Sequence, residues 1–213
     1  MTVGILASEE FELRSQELIG AGQFFHERGW APATSGNYSA RLAGNHIAIT
    51  VSGVHKGELT PTDLMVVDLG GHKIASHLDT QRSSAETLLH TQVYGLDEKV
   101  GAVLHSHSPV STVISRLRGD RIILKGYELQ KAFPGIETHA GRVIVPIFDN
   151  EQHIPRLARQ VEAYWQGPEP MFGYLIRGHG LYSWGARVAD ARRHIEAFEF
   201  MFECEILEDR ARR

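Results

Sequence analysis

Two apolar runs in this 213-residue chain each end on histidine, and that constrains the fold more than any other feature. Gly101-Ala102-Val103-Leu104 passes into His105-Ser106-His107, and the run from Gly173 to Ile176 passes into Arg177-Gly178-His179-Gly180. Short continuous apolar runs bounded by glycine and polar residues read as buried strands, which need a sheet covered on both faces.

The surrounding pattern supplies the cover. Ser8 caps a helix whose first turn holds Glu9, Glu10 and Glu12 and which Gly29 can terminate; Phe11, Leu18, Ala21 and Phe25 form its apolar stripe. Tyr38–Leu42 and His46–Val51 read as strands about a Gly44-Asn45 turn, with another strand from Leu64 to Asp68 before the Gly70-Gly71 turn. Ser83-Ser84-Ala85-Glu86 opens a helix to about Tyr94, and Ser108-Pro109 opens the next. A short helical piece follows Gly126, then a strand at Val143-Ile144-Val145 and an amphipathic helix carrying Ile154, Leu157, Ala158, Val161 and Trp165. Leu181 to Trp184 extends again before a long helix with Val188, Ala191, Ile195, Phe198 and Phe202 on one face. Hairpins early and strand–helix alternation late predict a single-domain three-layer α/β/α sandwich on a mixed, largely antiparallel sheet spanning residues 1–213.

Composition removes several function classes. With 22 basic and 26 acidic residues the formal net charge is −4, so no basic footprint exists for nucleic acid or an anionic membrane surface. No run approaches the roughly 18 apolar residues of a membrane span. Met1 to Ser8 lead straight into Glu9-Glu10, unlike the basic-then-apolar pattern of a secretory signal, and the reading expects a cytoplasmic protein. Cys204 is the one cysteine, so neither an internal disulfide nor a thiolate cluster can form; its helical, apolar setting reads as packing.

Chemistry concentrates in 12 histidines and a few glycine-flanked patches. Residues two apart on a strand point to the same face, so His105 and His107 can converge on one ion. His179 follows a second apolar strand between two glycines, and three imidazoles from two strands match a catalytic metal site with open positions. Ser35-Gly36-Asn37 and Ser52-Gly53 offer backbone N–H groups and small hydroxyls, and Ser83-Ser84 offer hydroxyls at a helix start. Together they suggest a cradle for a phosphate monoester, with Lys56 as an extra charge. Neither a Walker lysine motif nor a Rossmann glycine triplet is present. Two carboxylates compete for acid/base work: Glu86 in the helix start after Ser83-Ser84, and Glu128 in Lys125-Gly126-Tyr127-Glu128. Local sequence does not separate them.

Thr34-Ser35-Gly36-Asn37, Ser52-Gly53, Ser84-Ala85-Glu86, His105-Ser106-His107 and Gly178-His179-Gly180 occur in the order found in the class II (metal-dependent) aldolase/adducin-like superfamily. The resemblance spans residues about 10 to 205. Within that superfamily the chain looks most like the methylthioribulose-1-phosphate dehydratases of methionine salvage. Three segments carry that closer likeness: Val51-Ser52-Gly53-Val54-His55-Lys56-Gly57, Ser84-Ala85-Glu86-Thr87-Leu88-Leu89-His90 and Gly126-Tyr127-Glu128-Leu129-Gln130-Lys131.

The resemblance implies one Zn2+ per subunit on His105, His107 and His179. It places the substrate phosphate among Ser35, Gly36, Asn37, Ser52, Gly53 and Ser84. Glu86 matches the aldolases' catalytic glutamate and Glu128 the dehydratases' general acid/base. The usual Ser-Ser-Glu reads Ser84-Ala85-Glu86 here, with the second serine displaced to Ser83. The implied reaction is dehydration of 5-methylthioribulose 1-phosphate to 2,3-diketo-5-methylthiopentyl 1-phosphate. Its alternative is a class II sugar-phosphate aldolase or epimerase acting through a metal-stabilised enediolate. The implied assembly is a homotetramer with active sites at subunit interfaces and a small sugar phosphate as partner.

Overall fold

In the computed structural model, which describes residues 3–212, a single turn α1 (Val3–Leu6) precedes Ser8. The Ser8 hydroxyl accepts a hydrogen bond from the Phe11 N–H at 3.2 Å and opens α2 (Glu9–Glu27). Such a cap is worth about 1 kcal/mol, and the three glutamates of the first turn add to it by facing the positive end of the helix dipole. Phe11, Leu18, Ala21 and Phe25 are all buried, as their helical spacing requires.

The strands follow in chain order as β1 (Asn37–Leu42), β2 (His46–Thr50), β3 (Leu64–Val67) and β4 (Lys73–Ala75). Next come α3 (Thr87–Leu96), β5 (Ala102–Ser106), α4 (Pro109–Leu117), β6 (Arg121–Lys125) and β7 (Arg142–Phe148). The chain ends with α5 (Ile154–Trp165), β8 (Gly173–Ile176), β9 (Gly180–Gly185) and α6 (Val188–Ala211). Among the described residues these strands make one sheet in the order β4-β3-β2-β1-β5-β9-β8-β7-β6, antiparallel except for the parallel β7–β8 pair. The expected three layers are present.

Period-two alternation divides the core between the two faces. Ala40, Ala48, Val66, Leu104 and Leu181 pack under α2 and α6 with Phe25, Ile195, Phe198 and Phe202. Ile47, Ile49, Met65, Val103 and Tyr182 pack under α3 and α5 with Leu89, Val93, Leu157 and Val161. Adjacent residues of one strand thus serve opposite layers. A one-residue slip would expose both sets.

Two expectations need correction. β4 was not foreseen: it is three residues long with only Ala75 buried, too short to show an alternating pattern. Glu86 is not inside the first turn of α3 but is its N-cap residue, and its side chain makes no capping bond. No helix among the described residues is long and apolar enough to cross a membrane.

Candidate metal centre and anion cleft

Strand register brings the histidines together. His105 pairs with Tyr182 and Asn37, so the C-terminal end of β5 lies beside the start of β9 and the start of β1. Ile176, the last residue of β8, pairs with Gly180, and the turn between them carries His179 to the same sheet end. The ligand atoms of His105, His107 and His179 all lie within 4.8 Å of one another, a spacing that suits one shared ion. Gly180 must be glycine here, because a Cβ would sit on the Ser106 carbonyl.

Burial favours the neutral form of His105 and His107. His105 is fully buried, and its Nδ1–H donates to the Leu181 carbonyl at 3.0 Å, which turns the Nε2 lone pair toward His179 Nε2, 3.4 Å away. Burial, reinforced by the neighbouring His107 and His179, holds the His105 pKa well below the usual histidine range. His107 is pushed down to about 4, first by burial and then by the nearby His179 and Lys56 charges. The His105 ring stacks on Tyr182 at 3.9 Å, and Tyr182 in turn on Tyr174 at 4.9 Å. Three imidazoles whose ring nitrogens lie this close together suit a divalent cation.

Glu86 stands against this centre. Its Oε1 lies 3.3 Å from His179 Nε2 and its Oε2 3.8 Å from His105 Nε2. The Asn37 side-chain amide donates to Glu86 Oε2 at 2.8 Å and to the Ser84 hydroxyl at 3.3 Å, and that hydroxyl accepts from the Glu86 N–H at 3.2 Å.

Beside the histidines opens a cleft of about 150 Å³. It is lined by Ser35, Gly36, Asn37, Ser52, Gly53, Lys56 and Ser84, together with Glu86, His107, Thr34, Thr50 and Val51. Every residue expected to surround a phosphate therefore shares one concave surface with His107 and Glu86. Gly36 and Gly53 sit at φ +80° and +78°, where L side chains are strained. Lys56 is buried and bridges the cleft's two loops, donating to the Thr34 carbonyl at 3.0 Å and the Val54 carbonyl at 2.7 Å. Burial lowers its pKa to about 8, with Asp63 opposing. Ser83 does not line the cleft; it forms an isolated bridge with Val51 that holds Ser84 in place. Larger grooves of about 380 and 510 Å³ lie elsewhere, and neither contains any of the three histidines.

Glu128 is not brought into this cleft. β7 runs parallel to β8, so Phe148 lies at the His179 end and Arg142 at the other. Lys125, the last residue of β6, pairs with Arg142, so the chain leaves β6 at the sheet end opposite the histidines. There Glu128 is exposed and paired with Lys131, with His139 3.8 Å away.

Sequence reasoning assigned Asn37 to phosphate alone and missed its bond to Glu86. It also missed Thr34, Thr50 and Val51 in the lining. The signal for Asn37 was topological, since only strand pairing sets it opposite His105.

Comparison with known proteins identifies the family and the fold. A family model described as Class II Aldolase and Adducin N-terminal domain matches residues 16–206. A methylthioribulose-1-phosphate dehydratase from Marinobacter nauticus is 58% identical over 201 residues, covering 93% of this chain and 95% of that protein. A protein of the same name from Pseudomonas aeruginosa is 55% identical over 196 residues, 92% of this chain and 94% of that one. Among solved structures, L-fuculose-1-phosphate aldolase from Thermus thermophilus superposes with a TM-score of 0.76 at 23% identity, over 95% of this chain and 98% of that one, a likeness of fold. The chain belongs to the class II aldolase and adducin N-terminal domain family.

Proposed function

We propose that this chain is a metal-dependent hydro-lyase that converts 5-methylthioribulose 1-phosphate to 2,3-diketo-5-methylthiopentyl 1-phosphate in methionine salvage. The observation that carries the reading is the shared cleft: Glu86 lies 3.3 Å from a candidate metal ligand and lines the same 150 Å³ space as the glycine–serine cradle. The names and identities of the relatives support the substrate assignment. Zinc on His105, His107 and His179, when bound, would act as a Lewis acid that acidifies the carbon beside the substrate ketone.

The chain's own residues divide the remaining work. Backbone N–H groups at Gly36 and Gly53, with the Ser35, Ser52 and Ser84 hydroxyls and Lys56, hold the phosphate and set the depth of the sugar. Asn37 ties down one oxygen of Glu86, leaving Oε1 to accept the C3 proton. Dehydration then breaks the C4–O bond with protonation of the departing hydroxyl, and the enol product tautomerises to the diketone.

In this reading Glu128 donates that proton from another copy of the chain, since within its own chain it emerges at the far sheet end. A tetramer with interfacial sites would deliver it. Leu117, Ile123, Phe200 and Leu207 are 48–54% exposed, an amount of open apolar surface consistent with such an assembly. The reading is tested by incubating the purified, metal-loaded protein with 5-methylthioribulose 1-phosphate and following loss of the C3 and C4 carbinol protons by NMR.

A further inference from the structure

Behind Glu86 and Asn37 a chain of hydrogen bonds runs into the core through His90, Ser39 and Tyr94, groups that the mechanism above does not use. The Tyr94 hydroxyl lies 2.8 Å from Ser39 Oγ, and Ser39 Oγ lies 2.8 Å from His90 Nδ1. His90 Nε2 meets Asn37 Oδ1, and Asn37 Nδ2 reaches Glu86 Oε2 at 2.8 Å. His90 and Ser39 are fully buried and Tyr94 and Asn37 nearly so, so water does not share the three bonds from Tyr94 to the Asn37 carbonyl; the Asn37–Glu86 bond lies at the wall of the cleft.

The direction of every bond follows from its ends. A carboxylate only accepts, so Asn37 must turn its NH2 toward Glu86 and its carbonyl toward His90. That carbonyl can only accept, so His90 Nε2 carries a hydrogen. Burial pushes the His90 pKa down to about 3, so the ring is neutral and has one N–H. Nδ1 is then an acceptor, Ser39 donates to it, and the Ser39 oxygen accepts from Tyr94. All four donors point the same way, toward Glu86.

We propose that His90 is a positioning residue of the reaction: as its Nε2–H tautomer it locks the Asn37 amide, which holds Glu86 Oε2 and leaves Oε1 turned toward His179. The alternative is a buried histidine that serves packing alone, as its edge-on contact with Tyr182 at 5.5 Å would allow. The two roles differ in what they require of Nε2. Packing needs the ring's volume, whereas positioning needs one N–H at one place. Helical geometry accounts for the arrangement, because His90 is four residues after Glu86 and therefore on the same side of α3.

This inference rests on the proposed dehydratase activity for its kinetic arm and is independent of it for its spectroscopic arm. A glutamine amide can place its N–H2 where Nε2 stands, while an asparagine amide reaches only the Nδ1 position. His90→Gln should retain turnover within about threefold of the parent, whereas His90→Asn should lose about 30-fold in kcat with KM nearly unchanged, because a misplaced acid/base group costs rate more than binding. Bound metal should be the same in both variants, and their thermal stabilities should be similar. Equal losses in the two variants, or a rise in KM at unchanged kcat, would overturn the proposal. Independently, long-range 15N–1H correlation spectra of 15N-histidine-labelled protein, with His90 assigned by its absence from His90→Gln, should show an Nε2–H tautomer from pH 6 to 8. An Nδ1–H or doubly protonated ring would sink it whatever the substrate. If the parent fails to dehydrate 5-methylthioribulose 1-phosphate, the proposed function falls while the tautomer still decides the hydrogen-bond chain.

Discussion

Glu86 Oε1 and His179 Nε2 lie 3.3 Å apart, although 93 positions separate the two residues and they sit on different layers of the fold. Glu86 ends the loop before α3, and His179 rides the turn between β8 and β9. A carboxylate at that distance is close enough to serve a substrate held at the metal, yet it is tethered by Asn37 on its other oxygen.

Separating those two roles gives the first prediction. His179→Ala should lose both turnover and bound metal, because two imidazoles remain of three. Glu86→Gln should retain stoichiometric metal and lose about 100-fold or more in kcat, the range for removing a general base. Metal analysis beside turnover checks both. Loss of metal from Glu86→Gln would make the carboxylate a ligand.

Gly36 packs its glycine–serine loop against the strand that carries His105. Its φ of +80° already disfavours any side chain, and an added Cβ would lie 2.8 Å from the His105 carbonyl oxygen. Gly36→Ala should lower kcat/KM by about tenfold or more, equivalent to roughly 1.4 kcal/mol of misplaced binding. The loss should appear with the phosphorylated substrate. An unchanged kcat/KM would remove this loop from phosphate recognition.

Buried Glu199 on α6 gives the chain a pH-dependent stability. Its carboxyl takes a 2.5 Å hydrogen bond from Ser108, the cap of the helix that follows His107. Burial raises its pKa from 4.5 to about 8, outweighing the hydroxyls of Ser108, Ser111 and Ser106, which pull it down. Between those values the folded chain holds a proton that the unfolded chain has lost. Stability is therefore full below pH 4.5 from this group and falls as pH rises toward 8, by about 1.4 kcal/mol per pH unit. Glu199→Gln removes the titration. Its melting temperature should gain on the parent progressively from pH 5.5 to 8, and parallel curves would place the Glu199 pKa near its ordinary value.

Glu128 provides a test of assembly. Glu86→Gln and Glu128→Gln proteins should each be nearly inactive. When they are dissociated together and reassociated, about a quarter of the sites in a random mixture should regain both native carboxylates, if each site draws them from two copies of a symmetric oligomer. Size-exclusion chromatography with light scattering should give a tetramer. No recovery on mixing would show that Glu128 does not act across an interface.

Much of this site is legible in the sequence. Histidines after apolar runs, and glycines beside serines, announce themselves locally, because backbone chemistry fixes what such residues can do. The destination of Glu128 was not legible. It depends on β6 pairing antiparallel to β7, and on β7 pairing parallel to β8, choices made by crossovers far from Glu128 itself. His90 was hidden for a related reason: its partners Ser39 and Asn37 come from β1, about 50 residues away. The short β4 carried no pattern, since exposed Lys73 and half-buried Ile74 leave one buried side chain to read.

The most direct test of the central claim is phosphorus and proton NMR of 5-methylthioribulose 1-phosphate incubated with metal-loaded protein, with and without a chelator. The account predicts a diketone phosphate whose formation stops when the metal is removed and resumes when zinc is restored. Appearance of dihydroxyacetone phosphate would contradict it and make the chain an aldolase, and an unchanged spectrum from folded, metal-loaded protein would contradict the substrate.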